Sequence, residues 1–147
     1  MVTTRPLTRA DASEWRRLWH GYLAFYDATV SDEVYATYFE RLLGDDPRDY
    51  TCIIAEVDRQ PAGLAHYVFH RHGWKLEDTC YLQDLYADPD MRGRGIGRAL
   101  IEAVYAAADA NGTPSVYWTT QHFNTDARHL YDRIGRLTPF IKYERAL

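Results

Sequence analysis

The stretch "DMRGRGIGRAL", Asp90 to Leu100, sets Gly93, Gly95 and Gly97 among Arg92, Arg94 and Arg98. A β-rich run precedes it and good helix formers follow, so a helix opens as the glycines end. The first-turn N–H groups of a helix have no carbonyl partner, and with the positive end of the helix dipole they favour a bound anion. Glycine lets the backbone approach a phosphate closely, and arginine offers fork-shaped donors to its oxygens. Two well-known phosphate loops fail on spacing. A Walker loop needs Lys followed by Ser or Thr, and the stretch contains no Lys. A dinucleotide fingerprint needs its third glycine where this chain has Arg98. Spacing alone leaves open both a phosphate cradle and a plain basic turn.

Those residues have to be positioned by the elements around them. A short strand is expected near Thr4 to Thr8, followed by a helix in which Asp11 and Glu14 have capping-box spacing. Trp15, Leu18, Trp19, Tyr22, Leu23 and Tyr26 form one helical stripe. A second helix starts at Ser31, carries Asp32 and Glu33 in its first turn, and stops near Gly44. Its stripe is Val34, Tyr35, Tyr38, Phe39, Leu42 and Leu43. "YTCIIAEV" and "AGLAHYVFH", joined by "DRQP", read as a hairpin, and "CYLQDLYA" as a third β-rich run. The helix from Ile96 turns Ala99, Leu100, Ala103, Val104 and Ala107 inward with Ile96 and ends at Asn111-Gly112. "SVYWTT" reads as a strand, "NTDARHLYDRIG" as a short helix, and "PFIKYER" as a last strand. The order β-α-α-β-β-β-α-β-α-β implies an α/β (α+β) fold, a mostly antiparallel mixed central sheet with helices on both faces.

The whole chain sets the outer bounds. Its 147 residues suit one domain with a real core. A formal charge of -4 argues against a general nucleic-acid binder, which needs a broad basic face. Cys52 and Cys80 lie far apart in apolar runs without C-x-x-C spacing, so both are expected buried, reduced and inert. The N-terminus lacks the apolar core of a signal peptide, and no run approaches the ~18 apolar residues of a membrane span. A soluble cytoplasmic protein is the expectation, without a membrane partner. "HRH", His70 to His72, has no partner at ligand spacing and reads as a solvated strand end, so no metal is expected.

The glycine loop and its surroundings resemble the GNAT superfamily of acyl-CoA-dependent N-acetyltransferases. That signature is Gln or Arg, two residues, Gly, one residue, then Gly or Ala, and Arg92, Gly95 and Gly97 stand at those places. "YLQDLYADPDM" resembles the family's central strand, and Asn124 with Tyr131 a second signature downstream. The match runs from about Tyr81 to Tyr143, and the wording "YLQDLYADPDMRGRGIG", "VYWTTQHFN" and "FIKYER" is similar to the fungal histone, polyamine and D-amino-acid acetyltransferases. The resemblance implies a single N-acetyltransferase domain over residues 1–147 that moves acetyl from acetyl-CoA to a primary amine by direct attack in a ternary complex.

It also implies roles, position by position. The backbone from Arg92 through Gly93, Arg94, Gly95, Ile96 and Gly97 to Arg98 would bind the coenzyme A pyrophosphate. Leu85, Tyr86 and Ala87 would pair with the pantetheine arm as a strand would, and an N–H near Leu85 would polarise the acetyl carbonyl. Asn124 would reach the pantetheine, although Asn is also a good helix N-cap. Tyr131, a phenol of pKa about 10, would protonate a departing thiolate of pKa about 8.5. A core tyrosine is the other reading. Many relatives carry Glu where this chain has Gln83, which cannot act as a base but can orient a water. Asp84 is adjacent and should face the opposite side of the strand unless a bulge turns it. His20, Asp27 and Glu33 are further base candidates. Tyr22, Tyr26 and Asp27 could wall a pocket for a cationic amine, with core packing as the alternative.

The acceptor is a small amine, polyamine, amino acid or basic protein tail, and a homodimer is expected by fold analogy alone. Two other classes stay open. A non-catalytic acyl-CoA-binding module would bind the thioester without turnover, and an interaction domain with a structural glycine turn would not bind it.

Overall fold

Trp15, Leu18, Trp19 and Leu23 are buried along α1 (Ala12–Phe25), as their helical spacing requires, with Tyr22 and Tyr26 half-buried at its C-terminal end. Helix α2 (Asp32–Leu42) is capped by Ser31, whose hydroxyl accepts from the Val34 N–H at 3.3 Å. It buries Tyr35, Phe39 and Leu42 and leaves Val34 exposed. Helix α3 (Ile96–Ala110) buries Ile96, Leu100, Ile101, Val104 and Ala108, with Ala99, Ala103 and Ala107 half-buried beside them. Helix α4 (Thr125–Ile134) buries no residue completely, but Leu130, Tyr131 and Ile134 pack against the α3 core. The computed structural model describes residues 1–147, and no helix in it is long and apolar enough to cross a membrane.

The sheet runs β1 (Val2–Pro6), β2 (Thr51–Val57), β3 (Gln60–His70), β4 (Thr79–Ala87) and β5 (Val116–Tyr117), in that spatial order. Neighbours from β1 to β4 are antiparallel, and β5 runs parallel to β4. One core lies between the sheet and α1 with α2; the other lies beneath α3. Cys80 is buried in the α3 core and Cys52 in the opposite one, both free thiols. Gly63 on β3 permits the close seating of α3, because a Cβ there would come within 2.7 Å of Ile96 Cγ2 and of the Tyr86 carbonyl oxygen.

Three expectations are corrected. "PFIKYER" forms no strand: residues 136–147 carry no regular structure and are exposed, Phe140 and Ile141 by 78% and 77%. A strand needs a paired edge, and β5, its natural neighbour, is only two residues long rather than the six of "SVYWTT". Asp11 does not pair with Glu14 in a capping box. It closes a single 3-10 turn by accepting from the Thr8 N–H at 2.8 Å and the Thr8 hydroxyl at 3.0 Å, while Glu14 pairs with Arg17. Strand β1 ends at Pro6 rather than Thr8.

The Arg5 guanidinium makes two 2.8 Å bonds to Asp11 and, with Thr8, holds its carboxyl down at about 2. A depressed carboxylate stabilises the fold fully above its unfolded value of about 3.9, and that stability is lost as pH falls towards the folded value. Asp11→Asn is expected to cost roughly 1–2 kcal/mol near neutrality and to flatten the loss between about pH 4 and 2. Urea midpoints measured across that range check it.

Candidate active site

Strands β4 and β5 pair only through Cys80 with Val116 and Tyr81 with Tyr117. Beyond Tyr81 the two diverge, and the β4 edge from Leu82 to Ala87 has no strand beside it on that side. Leu85, Tyr86 and Ala87, all half-buried, pair on their other side with Ala65, Leu64 and Gly63. The open edge presents backbone groups that call for a partner.

The glycine loop lies just beyond this edge. After a 3-10 turn at Pro89–Met91, Gly93 and Gly95 take φ of 76° and 77°, the left-handed region, and Gly95 is the N-cap of α3. A Cβ at either glycine would meet nothing within 4 Å, so both glycines face open space. The N–H groups of Ile96, Gly97 and Arg98 form the first turn of α3, without carbonyls one turn back. Gly97 has a different job, since a Cβ there would stand 3.2 Å from Leu130 of α4. Arg92 and Arg94 are exposed, whereas the Arg98 guanidinium pairs with Glu102 at 2.8 Å.

On β4 the alternation breaks. Leu82 faces Tyr67 and Asp84 faces His66, so Gln83 opposes no residue of β3 and is the extra residue of a bulge. Leu82, Leu85 and Ala87 belong to the α3 side. Gln83 and Asp84 both lie on the α1–α2 side, where Tyr50 donates to Gln83 Oε1 at 2.7 Å and Tyr38 donates to Asp84 Oδ2 at 3.0 Å. The bulge therefore brings to one face two side chains that a regular strand would separate.

Asp84, 3% exposed, is the centre of a buried polar network. His66 Nδ1 stands 2.8 Å from Asp84 Oδ2, and Trp15 Nε1 stands 3.0 Å from His66 Nε2. Burial opposes the Asp84 charge, but bonds from His66, Tyr22 and Tyr38 prevail and hold its carboxyl below the usual range. Burial and the Asp84 charge together raise the Tyr22 and Tyr38 phenols. Neither His66 nor Trp15 was singled out from the sequence. His66 in the middle of the apolar run "AGLAHYVF" was the available signal, because a polar ring in an apolar run must find partners.

The Tyr22 and Tyr26 rings lie beside this network, tilted by 56° with centroids 5.1 Å apart. Asp27 is not their negative neighbour: it is exposed, with φ of 54°, just past the end of α1, and Asp84 takes that place. His20 is exposed and its Nδ1 lies 3.2 Å from the Tyr35 hydroxyl. A cavity of about 340 Å³ adjoins Gln83, walled by Trp19, Tyr38 and Tyr50 with Glu33 and Arg41 at its charged rim. Neither Glu33 nor Arg41 is engaged in an ion pair.

Tyr131 packs against Trp118 at 5.5 Å, and burial, reinforced by Tyr26, pushes its phenol up to about 12. Asn124 is the N-cap residue of α4, but its side chain makes no capping bond; its Nδ2 donates to Thr120 Oγ1 at 3.2 Å.

The mixed sheet thus splits beside a glycine-lined helix N-terminus, with a polar cluster on one face of the split. The model of the acetyltransferase (GNAT) family matches residues 15–135. The chain is 35% identical over 150 residues to the D-amino-acid N-acetyltransferase of Saccharomyces cerevisiae, spanning 99% of this chain and 93% of that one. Among solved structures it is similar to a ribosomal-protein-alanine N-acetyltransferase of Brucella melitensis, with a TM-score of 0.78 at 22% identity and all of both chains covered. An aminoglycoside N-acetyltransferase solved with coenzyme A gives a TM-score of 0.78 at 20% identity, covering 99% of this chain and 95% of that one. This chain belongs to the GNAT acetyltransferase family. It is an acyl-CoA-dependent N-acetyltransferase that acts on an amine.

Proposed function

We propose that this protein transfers acetyl from acetyl-CoA to the primary amine of a small amino acid, by direct attack in a ternary complex. The observation that carries the cofactor half is the divergence of β4 from β5 after Tyr81, directly before an open loop with two left-handed glycines. Backbone N–H groups from Gly93 to Arg98 hold the pyrophosphate, aided by the free guanidinium groups of Arg92 and Arg94. The backbone of Leu85, Tyr86 and Ala87 pairs with the pantetheine amides, and an N–H near Leu85 polarises the acetyl carbonyl. The Asn124 side chain, free of capping duty, reaches the pantetheine from across the split.

The amine nitrogen bonds to the carbonyl carbon, the carbon–sulfur bond breaks, and the sulfur leaves with the electron pair as a thiolate. Only about one in a few thousand amines of pKa near 10.4 is neutral at pH 7, so the attacking nitrogen must lose a proton. Asp84, with its depressed pKa, is too weak a base to strip a free ammonium. It draws the cationic acceptor in; the ammonium gives its first proton to solvent water, and Asp84 takes the second, which becomes acidic once the carbon–nitrogen bond forms. Gln83 orients the nitrogen or a water beside it. Tyr131 at about 12 holds its proton and serves as a hydrogen-bond donor to the departing sulfur.

The acceptor class rests on the cavity beside Gln83. It offers an aromatic wall, one unpaired cation in Arg41 and one unpaired anion in Glu33, a pairing that suits a zwitterion. The yeast relative, by its name, acts on D-amino acids.

Calorimetric titration with acetyl-CoA and coenzyme A, beside a Gly95→Glu variant, tests the cofactor half. Micromolar binding lost by at least about tenfold in the variant is expected, since a bulky anion in a left-handed position should block the pyrophosphate. No binding to the folded parent would sink the reading. Thiol release over amino acids and their decarboxylated amines tests the acceptor, and equal turnover of both would remove the role of Arg41.

A further inference from the structure

Trp15 carries a nitrogen that can only donate, and it points at His66 Nε2 from 3.0 Å. A proton on Nε2 would set two hydrogens against each other, so the network assigns Nε2 as the acceptor and puts the ring proton on Nδ1. The only carboxylate within reach of that proton is Asp84, with Nδ1 2.8 Å from Oδ2. The Tyr38 hydroxyl donates to the same oxygen at 3.0 Å. No arginine or lysine pairs with Asp84; this charge, buried in the sheet's α1–α2 face, is held by hydrogen bonds from His66, Tyr22 and Tyr38. His66 is fully buried, and Trp15 is 2% exposed.

His66 and Tyr38 thus both engage Oδ2, and neither engages Oδ1. The fixed ring decides which carboxylate oxygen it holds and which it leaves to other partners. The other groups that bear on Asp84 are Tyr22, Tyr26 and Tyr50, all phenols, and the Cys52 thiol. None supplies a positive charge that could do the same job.

We propose that His66 and Trp15 are positioning residues for acetyl transfer: the indole N–H fixes the imidazole tautomer, and the imidazole Nδ1–H pins Asp84 Oδ2 so that Oδ1 meets the acceptor amine. The role rests on the functional reading above, in which Asp84 faces that amine. Neither residue touches substrate, so each acts through Asp84.

The test joins nitrogen NMR of the His66 ring at neutral pH with kinetics of Trp15→Phe, His66→Gln and His66→Leu in the full chain. The parent should show a protonated Nδ1 and a bare Nε2. In Trp15→Phe that single tautomer should give way to a mixture, and the KM for the amino acid should rise severalfold, with acetyl-CoA affinity unchanged. His66→Leu, which removes the donor, should lose about 10²-fold in kcat/KM for the acceptor, as misplaced reacting groups do. His66→Gln, whose amide can still donate to Asp84, should recover most of that loss. A proton on Nε2 in the parent would overturn the proposal. So would acceptor kinetics unchanged in Trp15→Phe and no better in the Gln than in the Leu variant. If His66→Leu does not fold, the other two variants and the nitrogen spectrum still decide. Absence of turnover on any amine would sink the functional reading instead, and the spectrum would still report the tautomer.

Discussion

Asp84→Ala is expected to damage both fold and reaction, more than any other single change in the site. Asp84 is the acceptor for buried donors on His66 and Tyr38 at 2.8 and 3.0 Å, and alanine would leave these two groups, 3.0 Å apart, only each other, with one donor stranded. A stranded donor costs about 1–3 kcal/mol, and a loss of that size is expected in urea unfolding. Asp84→Asn separates the two effects. Its amide oxygen can still accept from His66 and Tyr38, so most of the stability should remain, but the charge that draws in the ammonium is gone. An acceptor kcat/KM down by about 10²-fold or more, with acetyl-CoA affinity intact, is the expected signature. Full activity in the Asn variant would remove Asp84 from the reaction.

Tyr131→Phe should leave the fold almost untouched, because the ring keeps its contact with Trp118 and its place over the α3 core. Its cost falls on the chemical step. A phenol held at about 12 does not hand its proton to a thiolate of pKa about 8.5, a transfer uphill by over three units or roughly 5 kcal/mol. A hydrogen bond to that developing charge contributes about 1.5–3 kcal/mol. The variant should therefore lose about ten- to hundredfold in kcat at constant acetyl-CoA affinity. A much larger loss, with a pH profile that loses its alkaline limb, would restore the full general-acid role. The sequence suggested that stronger role because the phenol's ordinary value is near 10; burial beside Tyr26 changes the arithmetic.

Much of this was legible in the chain itself. Helical stripes are set by a period of 3.6, so α1, α2 and α3 could be placed, with Ser31 and the Gly95 turn marking two of their starts. The glycine loop was legible because close backbone approach and a left-handed φ leave glycine as the ordinary choice at Gly93 and Gly95. Other features were not. The bulge at Gln83 depends on how β3 and β4 pair, which neither strand specifies by itself. Asp11 bonds to Arg5 and Thr8 rather than capping with Glu14, because β1 brings a guanidinium to it. "PFIKYER" has the pattern of a strand and nothing beside it to pair with.

The sequence by itself determined the family, the anion loop and the faces that each helix buries, because these follow from local spacing and backbone freedom. Only the tertiary structure decided what surrounds the acceptor's amine. One unpaired residue turns Gln83 and Asp84 to the same face, and contacts 51 and 18 residues apart in the chain bring Trp15 and Asp84 to His66. Such contacts leave no periodic trace. They exist because a buried charge must be matched by donors, and the fold gathers those donors from wherever the chain holds them.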